Sequence, residues 1–248
     1  MSEVVVLCYH AISSTWSAEL SLAPEEFERQ IGHMLRRGWH PTTFIDAVLR
    51  PPARRTLAIT FDDAFESVKT YAVPVLARQD IPATVFAPTA FLAGGETLAW
   101  PGIDHWQRTD DATELTAMSW SDLAELAGRG WEIGSHTRTH PHLTQLGDAE
   151  LELELAGSRE ECARRLGRDC LTIAYPYGDV DERVAGAARR AGYRAGGALS
   201  SRLTRLGPYR YPRVGIYRAD VSWRFRLKAS RPMRELRASK LWAAGESA

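Results

Sequence analysis

Two carboxylates stand side by side in AITFDDAFES (residues 58–67), where Asp62 and Asp63 follow the apolar run Leu57-Ala58-Ile59. Adjacent like charges repel, so the pair needs either the solvent of a polar turn, where Asp is a preferred residue, or a cation to share. A second segment, SHTRTH (135–140), sets His136 and His140 four residues apart, a separation often used to bring two imidazoles onto one metal. Gly134 precedes it and Pro141 follows it, which predicts a turn or a single helical turn. Isolated loop histidines are commonly just solvated; a carboxylate pair at another strand end is what favours a metal. Two imidazoles and one carboxylate leave coordination positions open, as in catalytic rather than structural sites. The other carboxylate can take the proton of a water acidified by the cation as that water attacks a carbonyl. The chemistry indicated is metal-assisted hydrolysis of an amide or ester.

The fold has to bring those residues together. VVVLCY (4–9), TLAITF (56–61), ATVFA (83–87), WEIGS (131–135) and LTIAYP (171–176) read as short strands, and YRAGGAL (193–199) and RVGIY (213–217) complete a set of seven. Helical patterns lie at 23–39, 66–79, 121–130, 148–167 and 181–192. The alternation predicts an α/β fold of parallel β/α units closed like a barrel, with an open doubly wound sheet as the alternative. In either architecture ligands gather at the carboxyl ends of the strands. Tyr9-His10, Asp62-Asp63, His136, His140, His142, Tyr175 and Tyr177 all fall there. The stretch 91–117 breaks the alternation and reads as an inserted excursion beside those ends.

The length of 248 residues suits one large domain, placed at 1–222, followed by a basic, aromatic-containing tail at 223–248. Lys+Arg and Asp+Glu balance at 31 each, so no global field draws the chain to nucleic acid. Three cysteines, Cys8, Cys162 and Cys170, form no CxxC pair, which fits a reducing compartment. The opening MSEVVVLCYHAIS shows no basic segment followed by an apolar stretch of signal length, and the expected location is cytoplasmic. From 218 to 248, eight Lys/Arg face three acids, with Trp223, Phe225, Leu227 and Trp242 interleaved. That composition suits peripheral contact with a membrane or a partner, or a solvated tail.

TFDD (60–63), SHTRTH (135–140) and, in part, AYPYG (174–178) resemble the motifs of the polysaccharide deacetylases with a NodB homology domain, carbohydrate esterase family 4. The resemblance implies a distorted (β/α) barrel. It implies Asp62 as general base and Asp63, His136 and His140 as ligands of one divalent metal, commonly Zn²⁺ with Co²⁺ or Ni²⁺ possible. It places Tyr177 where the backbone donates to the tetrahedral oxyanion. Two positions depart from the pattern: Ala174 stands where many members have an arginine, and no histidine follows His142 to act as the usual acid. LCYHAIS is similar to the N-terminal YH strand of the branch that deacetylates poly-β-1,6-N-acetylglucosamine, which implies His10 as acid. Arg213 of YPRVGIY is the candidate to replace the missing arginine, and Trp100 and Trp106 are candidates to line a sugar groove. The expected activity is removal of an N-acetyl group from an amino sugar in a glycan, glycolipid precursor or small glycoside. A non-sugar amide substrate and an inactive carbohydrate-binding relative are the alternatives.

Overall fold

A run such as Val4-Val5-Val6-Leu7 has no polar face, so its strand needs protein on both sides. The structure, a computed structural model, describes residues 3–200, 203–204 and 206–239. β1 (Glu3–Tyr9) is followed by a small parallel pair, β2 (Ala11–Ile12) and β3 (Ser21–Leu22), then by α1 (Pro24–Arg36), a short β4 (His40–Thr42) and α2 (Phe44–Leu49). β5 (Arg55–Phe61) leads through a π-type turn, Val68–Ala72, into α3 (Val73–Ala77). Next come β6 (Thr84–Ala87), α4 (Trp120–Gly128), β7 (Glu132–Ser135) and α5 (Asp148–Leu166). Then follow β8 (Thr172–Ala174), α6 (Glu182–Arg190), β9 (Ala195–Leu199) and β10 (Tyr211–Gly215). Two helices, α7 (Ser222–Ala229) and α8 (Arg231–Ala238), end the described chain.

Seven parallel strands close a barrel in the order β1-β5-β6-β7-β8-β9-β10, with β10 pairing back onto β1. The expected closed (β/α) barrel is what the chain forms. β4 adds one strand beside the first half of β5. The pairing of β1 with β5 runs from Glu3↔Arg55 to Tyr9↔Phe61, so the next residues, His10 and Asp62, emerge side by side. Side chains alternate along a strand. Val6, Cys8 and His10 therefore share one row, Ala58, Thr60 and Asp62 a second, and Tyr211 and Arg213 a third. Val6, Ala58, Phe86, Ala174, Ala195 and Tyr211 come from six strands and pack with Phe44 and Ala47 of α2, which places that cluster inside the barrel with α2 as its plug. The opposite rows, among them Leu7, Tyr9, Ile59 and Phe61, pack outward in the main core with residues such as Phe27 and Ile31 of α1.

Three features differ from the sequence reading. β4 contains Pro41 and is not buried, and α2 has six residues, too few to show a helical period. The segment expected as a tail begins with α7 and α8, and both dock. Phe225 is buried with its ring 6.2 Å from that of His33, and Arg234 pairs with Glu3 while lying over the Trp39 ring. Residues 240–248, including Trp242, lie outside the described residues. Among the described residues no helix is long and apolar enough to cross a membrane.

Candidate active site

Asp62 stands at the carboxyl end of β5, its N–H donating to the Tyr9 carbonyl at 2.9 Å. Arg213 on β10 grips it with both terminal nitrogens, Nη1 donating to Oδ1 at 2.6 Å and Nη2 to Oδ2 at 2.7 Å. Both side chains are buried, and this bidentate fork is the geometry that suits a guanidinium to a carboxylate. Gly197 on β9 makes the space: a Cβ there would sit 2.8 Å from Arg213 Nε. The Cys8 thiol also donates to Asp62 Oδ2, at 3.4 Å. Burial pushes the Asp62 carboxyl up, but Arg213 and the neighbouring histidines outweigh it and hold the group below its ordinary range. Asp62 is an ionised, oriented acceptor.

Asp63 departs from the strand in a left-handed conformation, φ 70°. Its Oδ1 lies 3.3 Å from His136 Nε2 and 3.4 Å from His140 Nε2, yet no donor satisfies it among the described residues. His136 Nδ1 lies 2.8 Å from the Ala174 carbonyl, which fixes the proton on Nδ1 and turns the Nε2 lone pair to Asp63. Ala174 thus contributes its carbonyl at the position where an arginine is missing. One atom from each of Asp63, His136 and His140 lies within 4.8 Å of the others. Burial pushes the Asp63 carboxyl up, and the two imidazoles reverse this and hold it well below the carboxylate range. An N₂O donor set with an unsatisfied oxygen between two imidazoles fits a divalent cation such as zinc, cobalt or nickel.

The loop that carries the histidines is clamped from behind. Glu154 on α5 accepts from the N–H groups of Arg138 (2.7 Å) and Thr139 (3.0 Å) and from the Thr139 hydroxyl (2.7 Å). The His140 N–H donates to Thr137 Oγ1 at 3.1 Å. Seven non-glycine residues among those described have positive φ, and five of them, Asp63, Ala64, Thr137, His140 and Tyr177, are here. Such strain persists only where surrounding contacts over-determine it. Glu154 is absent from the sequence reading. The signal for it is an acid on the buried face of a helix, between Leu151 and Leu155.

His10 is buried beside Asp62: one atom each of Cys8, His10 and Asp62 lies within 4.8 Å of the others. Arg213 already occupies both Asp62 oxygens, so this group is a poorer cation site than Asp63, His136 and His140. Burial pushes the His10 imidazole down, partly offset by Asp63 and Asp62, which makes its protonated form a stronger acid. Tyr177 (φ 58°) stacks on His142 with centroids 3.9 Å apart, meets His140 edge-on, and its hydroxyl donates to the Pro101 carbonyl at 3.1 Å. Burial, with Asp63, pushes that hydroxyl up to about 12. Trp100 stacks on His140 at 4.1 Å, and Trp106 meets Trp16 edge-on. His10, Trp100, Trp106 and Tyr177 line a cleft of about 760 Å³ that Glu19, Tyr217, Lys228 and Arg237 help to complete. Trp131, by contrast, is core, stacked on Phe61.

A family model described as polysaccharide deacetylase matches residues 50–196, more than half of the chain. The chain belongs to the polysaccharide deacetylase family. YxkH of Bacillus subtilis, a protein named for the same family, is 26% identical over 200 residues, covering 79% of this chain and 64% of that protein. The poly-β-1,6-N-acetyl-D-glucosamine N-deacetylase of Staphylococcus aureus is 26% identical over 174 residues, covering 66% of this chain and 55% of that one. The chain therefore spans between half and two thirds of the curated relatives it matches. Among solved structures, the Streptococcus pyogenes deacetylase PplD superposes with a TM-score of 0.74 at 20% identity, covering 92% of this chain and 98% of that one. IcaB from Ammonifex degensii does so with 0.68 at 20%, covering 96% and 98%. At these identities the likeness is one of fold. In this member of the family, all seven candidate residues, His10, Asp62, Asp63, His136, His140, Tyr177 and Arg213, come together at the carboxyl end of the barrel. Cys8, Glu154 and Tyr217, none of them a site candidate from the sequence, join them.

Proposed function

We propose that this chain is a metal-dependent hydrolase that removes an N-acetyl group from an amino sugar in a glycan, glycolipid precursor or small glycoside. One observation carries the reading: three convergent donors, Asp63, His136 and His140, share a cleft with a carboxylate, Asp62, locked in an arginine fork. A divalent cation bound there, zinc first, would polarise the acetyl carbonyl and acidify a water beside it. Asp62 takes the proton of the attacking water, and Arg213 aims the carboxylate and keeps it ionised. The Tyr177 N–H donates to the oxygen that becomes negative. Expelling an amide anion is prohibitive near neutral pH, so His10 gives a proton to the leaving nitrogen. Trp100 and Trp106 offer flat faces on which a pyranose can rest. The name of the S. aureus relative supports N-acetylglucosamine units as the substrate to try first.

The test is acetate release from N-acetylglucosamine and its β-1,6 oligomers by protein stripped with a chelator and by the same protein reloaded with Zn²⁺ or Co²⁺. Acetate should appear only after reloading. Undiminished release from stripped protein would overturn the metal dependence, and no release from any N-acetylated sugar would overturn the deacetylase reading.

A further inference from the structure

α7 and α8 leave a groove of about 310 Å³, lined by Trp223, Arg224, Leu227, Lys228, Met233 and Arg237. Trp223 is 65% exposed and Leu227 49%. With Val221 and Leu236 they make four of the eight large hydrophobic side chains exposed among the described residues, so the exposure is a patch rather than scatter. Lys228 and Arg237 line both this groove and the catalytic cleft, so the two adjoin across these side chains. The path between them can be followed residue by residue. The His10 ring faces that of Tyr217 with centroids 6.2 Å apart, and Lys228 Nζ lies 4.9 Å from the Tyr217 centroid. Leu227 and the groove follow directly. The two cations at the crossing are already engaged: Lys228 pairs with Asp220 at 2.6 Å, and Arg237 Nη2 donates to the Ser200 carbonyl at 3.1 Å. What they offer a passing ligand is their aliphatic stems.

We propose that the groove binds the apolar aglycone of the substrate, a hydrocarbon chain joined to the anomeric oxygen of the amino sugar. The proposal rests on the deacetylase reading, which sets the acetamido nitrogen by His10; the anomeric carbon adjoins the carbon bearing that nitrogen, and Tyr217 and Lys228 lead from His10 to the groove. A sugar polymer continuing along the same path would need polar partners. Beyond Lys228 it would meet the Leu227 and Met233 side chains and the Trp223 face, which the Arg224 guanidinium overlies at 5.8 Å from the ring centroid.

The experiment compares the methyl and octyl β-glycosides of N-acetylglucosamine on the zinc-loaded full chain, with the octyl compound below its micelle concentration. The octyl glycoside should have the higher kcat/KM by about tenfold or more, the gain expected from burying about two methylene groups. Trp223→Ala and Leu227→Gln, both at exposed positions, should erase most of that ratio and leave the methyl glycoside rate unchanged. Equal kcat/KM for the two glycosides in the intact protein would overturn the proposal, as would a preference that survives both substitutions. A larger gain from a second N-acetylglucosamine unit, lost in Trp223→Ala, would reassign the groove to sugar. Sedimentation with anionic phospholipid vesicles, lost in Leu227→Gln without any octyl preference, would reassign it to a membrane surface. If neither glycoside is hydrolysed, calorimetry decides the groove independently of the deacetylase reading. Saturable octyl glycoside binding that Leu227→Gln abolishes upholds it, and absence of binding overturns it.

Discussion

Glu132 and His136 lie four residues apart on one row of β7, at opposite ends of the barrel, and their surroundings differ in kind. Glu132 accepts from the Thr172 hydroxyl at 2.6 Å, the Thr84 hydroxyl at 3.0 Å and the Ile45 N–H at 2.9 Å. The Phe44 N–H donates to Thr84 Oγ1 at 2.8 Å, so the first free N–H groups of α2 are capped by strand side chains. At the carboxyl end, buried polar atoms of His10, Asp63, His140 and Arg213 have no partner among the described residues. A buried unsatisfied group costs roughly 1–3 kcal/mol, and a strained φ/ψ a similar amount. One end is built to be stable, the other to hold something. The contrast locates the site without reference to any relative.

Removing a donor at the strained end should have the largest effect. His140→Ala is expected to lose most of its bound zinc and nearly all turnover, while thermal unfolding of the metal-free protein stays level or rises because a buried unpaired nitrogen goes with it. Elemental analysis beside a melting curve checks both, and full zinc occupancy would break the comparison. Asp62→Asn comes next: zinc content unchanged and turnover down by about 10²–10⁴, the usual loss for a general base. Near-normal turnover would move the base elsewhere. For His10→Ala the loss on an N-acetyl substrate should be nearer about 10². An aryl ester, whose leaving group needs little protonation, should suffer much less, and equal losses on both would refute the acid role. The smallest effect lies at the other end. Glu132→Ala should lower stability by about 1–3 kcal/mol, since it strands the donors that faced the carboxylate. Its zinc content and kcat below the transition should match those of the parent. A fall in kcat with stability intact would show that the two ends are coupled.

Much of this is legible from the chain. β1 and β5 are continuous apolar runs bounded by polar residues, and a buried parallel strand has no other signature. Asp62, Asp63, His136 and His140 are legible because they fall just past such runs with metal-compatible types and spacing. Arg213 and His10 emerge from two absences, an arginine at Ala174 and a histidine after His142, and the fold brings both beside Asp62 from the strands that close the ring. Other contributions are traced only in part: the sequence sets residues 91–117 and Trp100 beside the strand ends but not the contacts made there. Trp100 meets His140 only because the excursion folds over the barrel mouth, held by Ser13 and Thr15 donating to Glu114 at 2.7 and 2.6 Å. α7 and α8 are equally hard to see, since their docking rests on a few side chains, chiefly Phe225, among many cations.

The seam between β1 and β10, where Leu7 pairs with Val214, also sets an order of events during synthesis. β1 can pair with β5 while fewer than a third of the residues have emerged, but β10 must wait for the chain to reach residues 211–215. Contacts of such wide sequence separation form late because their loop-closure entropy is the greatest to overcome. Until then Asp62 has no guanidinium opposite it, and the barrel wall beside His10 is open. The candidate cation donors, Asp63, His136 and His140, can assemble first. On the proposed function, a nascent chain would gather its metal donors before Asp62 is aimed, and hydrolytic competence would arrive with the last strand.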